Sequence, residues 1–507
     1  MISIVDVLMP SSVLLVFAVA TIPLAQLAQR KRRHRVFSVT WVVLGFALAF
    51  IAFTRLAVMY HGQPQPFLQV SLSEIPNPQS TTFLLDAVSI YMGFVTLAMG
   101  FISNLYGVLS TNESGNPGRY SALTLIIVGA VLAGVLSGDL LTLFIFWESA
   151  AAAACFLIVY RRTAGSLAAG VKYLVMFILA SGLIVYGLSM IYGLTGSLNY
   201  QAIRNSLTAF EDKTALVLAF VLMVSGYAVE AAVVPFHMWL PPSYTAAPSA
   251  SSALLSAVMD QGSLYVLIRV LLYILTPPLV VDWPYAMSVF AGLTMTVGNL
   301  SALAQKSVKR LICYVCIADV GYNLVALSSV TPLGVMGNLF FFLVGGMTTA
   351  LSFMCVGIFN KMGLRTLKDL TGIGRRAEKT SFALAVAALS FPGIPGLAGF
   401  MAKYMIFTAA VEANMPTLAV VGVLNSVVEL AYFVRLLRYM YAKPVGEIMK
   451  LKEPKMLLVP IYILVAAIIF LGIYPTAVLQ LITPVLDQLR PMVLWSREAS
   501  IGMGLWG

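Results

Sequence analysis

Long apolar stretches leave this chain few options. They lie near 2–29, 36–60, 81–110, 120–137, 140–160, 166–194, 214–239, 246–276, 284–304, 309–330, 335–360, 380–410, 416–441 and 455–483. A helix needs roughly 20 apolar residues to cross a bilayer. Most of these stretches have that length, separated by short polar turns. Over all 507 residues, 60% are hydrophobic and 10% charged, against about 45–50% and about 25% in soluble domains. A water-soluble globule of this size has no interior large enough for so much apolar surface. The sequence predicts an all-α polytopic membrane protein with about 14 transmembrane helices. It excludes a soluble enzyme and a disordered chain.

The net charge of +11 is a matter of topology, not of nucleic-acid binding. Cytoplasmic loops carry excess Lys and Arg. With the N-terminus outside, most of the 31 basic residues fall in inside loops. The largest groups are Arg30–Arg35, Lys306–Arg310, Lys361–Lys379 and Arg435–Lys455. That asymmetry predicts both ends outside. The first apolar stretch lacks a basic leader and a cleavage site, so it reads as the first span. Cys155, Cys313, Cys316 and Cys355 all lie in apolar stretches and read as packing residues. The Cys313–Cys316 pair has no second pair to complete a metal site. No phosphate-cradling glycine motif is present, and no cofactor is expected. The longest hydrophilic stretches, 61–80 and 361–380, read as loops. Beyond about 484 the chain is too short for both another span and a long amphipathic arm.

Two of the helices are broken by proline. One reads AVEAAVVPFHMWLPPSY, with Pro235, Pro241 and Pro242; the other reads ALSFPGIPGLAGFMAKYMIF, with Pro392 and Pro395. Proline removes a backbone donor and clashes with the preceding turn. Such breaks are tolerated in a membrane where protein or water satisfies the freed carbonyls. Two of them, five spans apart, point to inverted repeats around midplane ion sites. The expected division is helices 1–3 over 1–117, a five-helix repeat over 118–276, a second over 284–441, and a last helix with its tail over 442–507.

Ionisable residues inside spans are costly, about 2.5–3.5 kcal/mol each at a helix centre on insertion scales, and need a reason. Here they are Glu148, Lys172, Glu230, Asp260, Arg269, Asp319, Lys403 and Glu429, spread over at least seven helices. One ligand site would gather them on two or three. A spread row suggests protonatable groups relayed along the membrane plane. Lys172 reads either as part of that row or as a lysine snorkelling to the surface. Arg269 and Glu429 read as structural pairs or helix-end residues. His237 reads as a proton group or a cap, at a helix end near the cytoplasmic face. The proton or ion pathway is therefore assigned to Glu148, Lys172, Glu230, His237, Asp260, Asp319 and Lys403.

The run from Gly226 to Arg269 resembles the signature of the antiporter-like subunits of complex I, which are related to Mrp-type Na⁺/H⁺ antiporter subunits and to subunits of membrane-bound hydrogenases and sulfane reductases. The resemblance rests on Gly226, Pro235-Phe236-His237, Trp239-Leu240-Pro241, Ala247-Pro248, Ser252, Tyr265 and Arg269. Trp147-Glu148, the KYL at Lys172, Lys309-Arg310-Leu311, Gly321-Tyr322, TLKDLTGI and FPGIPGLAGFMAKY extend it over about 80–440. It implies 14 helices, two inverted repeats, and a proton route from a Glu–Lys pair through a central Lys to a final Lys or Glu. Glu148 matches the paired Glu, and Lys403 the terminal group.

The departures matter as much. Glu230 stands where the family has its switching Lys. The central Lys is Gln261, or Asp260 after a one-residue shift. Asp319 replaces a His, and Gly345 and Thr349 replace a His and a Lys. The resemblance therefore implies an antiporter-like subunit of an ion-translocating respiratory complex, moving or coupling H⁺ or Na⁺, with its first half-channel degenerate. Hydrogenase or sulfane-reductase assemblies suit such a copy better than ordinary complex I. The alternatives are a subunit of an Mrp-type antiporter and a structural subunit without transport. The expected partners are other membrane subunits and the lipid bilayer, in the cell membrane.

Overall fold

The computed structural model describes residues 2–30, 34–63, 67–71, 81–111, 117–207, 213–274, 282–443 and 450–502. Part of the hydrophilic stretch 61–80 and the basic residues Lys31, Arg32 and Arg33 lie outside the described residues. The chain is helical almost throughout. The first half holds α1 (Ile4–Arg30), α2 (His34–His61), α3 (Ala87–Thr111), α4 (Pro117–Val135), α5 (Leu140–Ile158), α6 (Ala164–Thr195), α7 (Tyr200–Leu207) and α8 (Lys213–Glu230). A 3₁₀ turn (Phe236–Trp239) leads into α9 (Leu240–Ala246). Next come α10 (Ser249–Leu254) and α11 (Asp260–Ile268), joined and followed by π turns at Leu255–Met259 and Arg269–Ile274. The second half holds α12 (Trp283–Leu303), α13 (Val308–Ser329), α14 (Pro332–Lys361), α15 (Ile373–Arg376), α16 (Glu378–Ser390), α17 (Ala398–Glu412), α18 (Pro416–Tyr441), α19 (Lys455–Ile473) and α20 (Thr476–Gly502). A two-stranded ribbon pairs β1 (Leu68–Ser71) with β2 (Thr82–Leu85) antiparallel.

Among the described residues twelve helices are long and apolar enough to span a bilayer, counting 249–274 as one. The two remaining expected stretches, 214–239 and 380–410, are the interrupted ones. The helix α8 stops at Glu230, and the chain crosses residues 231–235 with Ala232 at φ 54°. The helices α16 and α17 are separated by residues 391–397, where Gly393 and Gly396 take φ 84° and 91°. Both breaks fall at the prolines, as expected. The last expected stretch, 455–483, is not one helix. It stops at Ile473, before Pro475, and α20 restarts at Thr476. The tail beyond 484 thus belongs to a 27-residue helix.

The helix 249–274 and helices α13, α14 and α4 are buried along most of their length, whereas α1, α2, α6, α12 and α18 carry exposed apolar faces. That is the pattern of a bundle facing lipid or neighbouring subunits. Close backbone approach holds the second half together. A Cβ on Gly321 of α13 would lie 2.5 Å from the backbone nitrogen of Met295 in α12, so only glycine fits there. Local sequence sets the helix starts. Asp139 caps α5, accepting from Thr142 N at 2.7 Å, and Thr163 and Ser166 form a reciprocal capping box on α6.

The basic loops meet at one end. Leu367 N donates to Lys306 O at 2.9 Å, Gly372 N to Tyr439 O at 3.0 Å and Leu451 N to Arg376 O at 2.8 Å. Lys361 Nζ donates to Ser110 O at 2.8 Å. The opposite end is tied by Leu84 N to Leu136 O at 2.8 Å and by Leu140 N to Leu198 O at 3.0 Å. Four of the loops that charge asymmetry assigns to a common side, those after α3, α12, α14 and α18, are therefore together.

Candidate functional site

The first break ends α8 on Glu230, which is 3% exposed. Neither of its carboxylate oxygens has a hydrogen-bond partner. Glu230 lines a small cavity with Trp147 of α5, Tyr173 and Phe177 of α6, Trp239 of the 3₁₀ turn, Tyr244 of α9, and Asp260 and Ser263 of α11. The cavity measures about 10 Å³ to a water centre, roughly one water molecule. Across it, Asp260 Oδ1 accepts from Tyr244 Oη at 2.5 Å, while Oδ2 is unbonded. The π turn at 255–259 sets this register, as such turns often do at functional sites. Asp260 faces the cavity, and the next residue, Gln261, lies against Gly345 and Gly346 of α14. The residue that this register turns to the cavity is thus Asp260, not Gln261.

Glu148 of α5 is half-buried and accepts from Ser181 Oγ of α6 at 2.6 Å. It lies within electrostatic reach of Glu230. Lys172 does not join them. It is exposed on α6 beside the exposed Val171, Leu174, Val175 and Ile178, while the next residue, Tyr173, lines the cavity. A helix turns about 100° per residue, so one position separates the two environments. His237 is not at a helix end near a face either. It lies in the 3₁₀ turn of the break, half-buried, with Nδ1 unbonded. The neighbouring Val234 N donates to Thr294 Oγ1, midway along α12, at 3.2 Å.

The second break positions Lys403 one turn into α17. Lys403 Nζ forms a buried ion pair with Glu429 Oε2 of α18. It also donates to Ser426 Oγ at 3.2 Å and lies 3.7 Å from the centroid of the Tyr322 ring. Tyr322 Oη in turn donates to Glu429 Oε2 at 3.3 Å. Asn299 Nδ2 donates to Tyr322 Oη at 3.4 Å and to Asn425 Oδ1 at 3.2 Å; Tyr432 Oη donates to Asn299 Oδ1 at 3.0 Å. The lysine therefore has an acid partner, 26 residues away, and a polar network on three helices. Asp319 of α13 sits between the two centres, buried and unbonded at both oxygens. It feels the charges of Glu429, Lys403 and Asp260.

The structure thus places Glu148 beside Glu230, Glu230 and Asp260 in the lining of one cavity, and Asp319 within the fields of Asp260 and of the Lys403–Glu429 pair. Sequence reasoning had left Glu429 out of the pathway. It had missed Tyr244, and it had placed Lys309 in a loop. Lys309 is buried, and its Nζ donates to the carbonyls of Ala247 at 2.5 Å and Thr245 at 3.3 Å, satisfying the end of α9. Arg269 is structural. It forks onto both oxygens of Asp86 at 2.5 and 2.6 Å and donates through Nε to Tyr265 Oη at 2.7 Å. Among the described residues no group of three or more His, Cys, Asp or Glu could hold a metal ion.

Residues 137–429 match the family described as NADH:quinone oxidoreductase/Mrp antiporter, TM. F(420)H(2) dehydrogenase subunit N of Methanosarcina mazei is 31% identical over 420 residues, covering 79% of this chain and 84% of the relative. NADH-quinone oxidoreductase subunit N of Trichlorobacter lovleyi is 33% identical over 377 residues, covering 73% and 76%. Among solved structures, a chain of the membrane-bound sulfane sulfur reductase, an archaeal respiratory membrane complex, superposes with a TM-score of 0.85 at 24% identity over 96% of this chain and 99% of that one. A chain of the Mrp complex from Dietzia sp. gives 0.84 at 21%, over 96% and 98%. At these identities the superpositions show a common fold.

Proposed function

Because the chain belongs to the NADH:quinone oxidoreductase/Mrp antiporter transmembrane family, we propose that it is an antiporter-like membrane subunit of a respiratory redox complex, in which its buried charged row relays protons. The observation that carries this is the row itself. Six ionisable groups on six helices run from the half-buried Glu148 to the Lys403–Glu429 pair. Burying one charge is costly. Six of them exceed what packing needs, and a relay uses each one.

The two ends of the row differ. Lys403 and Glu429 form a donor–acceptor pair in which a shift of either partner changes the lysine's hold on its proton. Glu148 and Glu230 face each other without a basic partner, because Lys172 points outward. The first half-channel is therefore altered, and the second keeps a lysine–glutamate pair. The two interrupted segments, residues 213–246 and 378–412, form the centres of two inverted repeats over 118–276 and 284–441, within a fourteen-span arrangement. Exposed apolar faces on α1, α2, α6, α12 and α18 are where lipid and adjacent membrane subunits pack in the cell membrane. Sequence likeness to two subunits N favours that position in the assembly.

The test is proton pumping per electron pair by the complex reconstituted in vesicles. Replacing Lys403 by Ala should leave electron transfer in place and lower pumping. Unchanged pumping would remove the relay reading and leave a structural subunit.

A further inference from the structure

The helix α9 stands between two interruptions, the 3₁₀ turn before it and the Ala247–Pro248 step after it. Its seven residues make about two turns, and so short a helix is marginal on its own. Bonds to its neighbours must therefore fix its place. At its far end the backbone cannot supply them. Pro248 has no N–H to return to the carbonyl of Tyr244, and Ala247 leaves the helix at ψ 158°. Side chains take over. Ser252 Oγ donates to Tyr244 O at 2.8 Å. Lys309 Nζ, from the first turn of α13, donates to Thr245 O at 3.3 Å and to Ala247 O at 2.5 Å.

A buried ammonium is a costly way to satisfy two carbonyls. Lys309 is 5% exposed, and among the described residues no carboxylate forms an ion pair with it. A hydroxyl would meet a carbonyl without that cost, as Ser252 does. What the lysine adds is reach, with three donors on one long stem. It joins α9, in the first half of the chain, to a helix of the second half. On the same seam Cys313 Sγ lies 3.5 Å from Thr245 Oγ1. The first turn of α13 is itself anchored, since Val308 N donates to Arg365 O at 3.2 Å and Leu367 N to Lys306 O at 2.9 Å.

The anchored end of α9 carries the residue that meets the first-break acid. Tyr244 Oη donates to Asp260 Oδ1 at 2.5 Å. The hydroxyl of Tyr244 and the carbonyl of Thr245 belong to adjacent residues of one short helix, so a shift of the carbonyl carries the hydroxyl with it. We propose that Lys309 is a positioning residue, whose ammonium pins the end of α9 to α13 and thereby holds the Tyr244 hydroxyl on Asp260. The acid at the first break is then oriented from the second half of the chain. This inference rests on the relay reading for what Asp260 does, but the hold itself can be read without transport.

The test is infrared difference spectroscopy of the purified complex, with proton pumping followed in vesicles. The carboxyl stretch of Asp260 is assigned by its loss in D260N. Tyr244→Phe removes the hydrogen bond and should shift that band. Lys309→Met should shift it in the same direction. Lys309→Arg keeps the charge and the donors and should leave it near its wild-type position. In vesicles Lys309→Met and Tyr244→Phe should each lower pumping per electron pair with electron transfer intact. Combining them should add no further loss, because both act through one bond. If Lys309→Met fails to assemble, Lys309→Gln, with a donor on a shorter stem, takes its place with the same expected shift. An Asp260 band unmoved by the loss of the lysine would overturn the proposal. So would a double variant in which the two losses multiply. A wild-type complex that pumps no protons would instead sink the relay reading, while the Asp260 band would still decide the hold.

Discussion

Lys403 and Glu429, 26 residues apart on α17 and α18, form a fully buried ion pair whose acid also accepts from Tyr322 at 3.3 Å. A lysine that stands alone in its sequence neighbourhood is thus half of a donor–acceptor unit, and its consequences can be measured.

Lys403→Ala should impair proton pumping per turnover more than Glu230→Gln. The alanine variant removes the only cation in the charged row. Glutamine is nearly isosteric with a protonated glutamate, so a proton-holding structural role should survive it. Both variants are compared in reconstituted vesicles with assembly checked by complex size. Equal or greater loss in Glu230→Gln would show that the first half, not the second, limits transport.

Stability should respond differently. Removing one partner of a buried pair costs about 3–5 kcal/mol, because the other charge is left uncompensated. The double variant Lys403→Met with Glu429→Gln should recover much of the loss caused by Lys403→Met alone, in thermal unfolding of the detergent-solubilised complex. Pumping should stay impaired. Recovery of both would make the pair a packing device.

Arg269 and Asp86 tie the end of helix 249–274 to the start of α3 through two short bonds. Arg269→Ala should cost about 3–5 kcal/mol and reduce the amount of assembled complex. The fraction that assembles should pump normally, since neither residue touches the row. Normal yield with defective pumping would move this pair into the pathway.

Gly399 opens α17 against the end of α16. A Cβ there would lie 1.8 Å from Ser390 O, closer than any real contact, so the second break must reshape around Gly399→Ala. Lys403, one turn on, would be displaced from Glu429. The expected result is a loss of pumping close to that of Lys403→Ala, with electron transfer retained. An unaffected variant would show that the geometry of this break is not what positions the lysine.

The breaks were legible in the sequence because proline and glycine act locally, and both fall where those residues stand. The buried acids were legible because a charge in an apolar run is conspicuous. Partnership was not. Lys403 meets Glu429, and Arg269 meets Asp86 across 183 residues; no local pattern encodes contacts between distant helices. The choice between Asp260 and Gln261 turned on a π turn, whose extra residue in the helical turn leaves no mark in apolar spacing. Lys172 was assigned inward because depth along a helix is readable from hydropathy while rotation about its axis is not. The last helix was assigned as one with its predecessor because the stretch stays apolar past Pro475, although the backbone stops there.

Two tyrosines of α3 bond backbone carbonyls of α14. Tyr91 Oη reaches Leu339 O at 3.0 Å and Tyr106 Oη reaches Met354 O at 2.7 Å. The donors and the acceptors are each fifteen residues apart, about 22 Å along a helix, so the two helices run parallel like rails held by two rungs. A sliding stroke of α14 past α3 would have to break both rungs at once. Along this pair of helices the frame resists sliding, and the proposed relay works by side chains turning inside a scaffold that keeps its length.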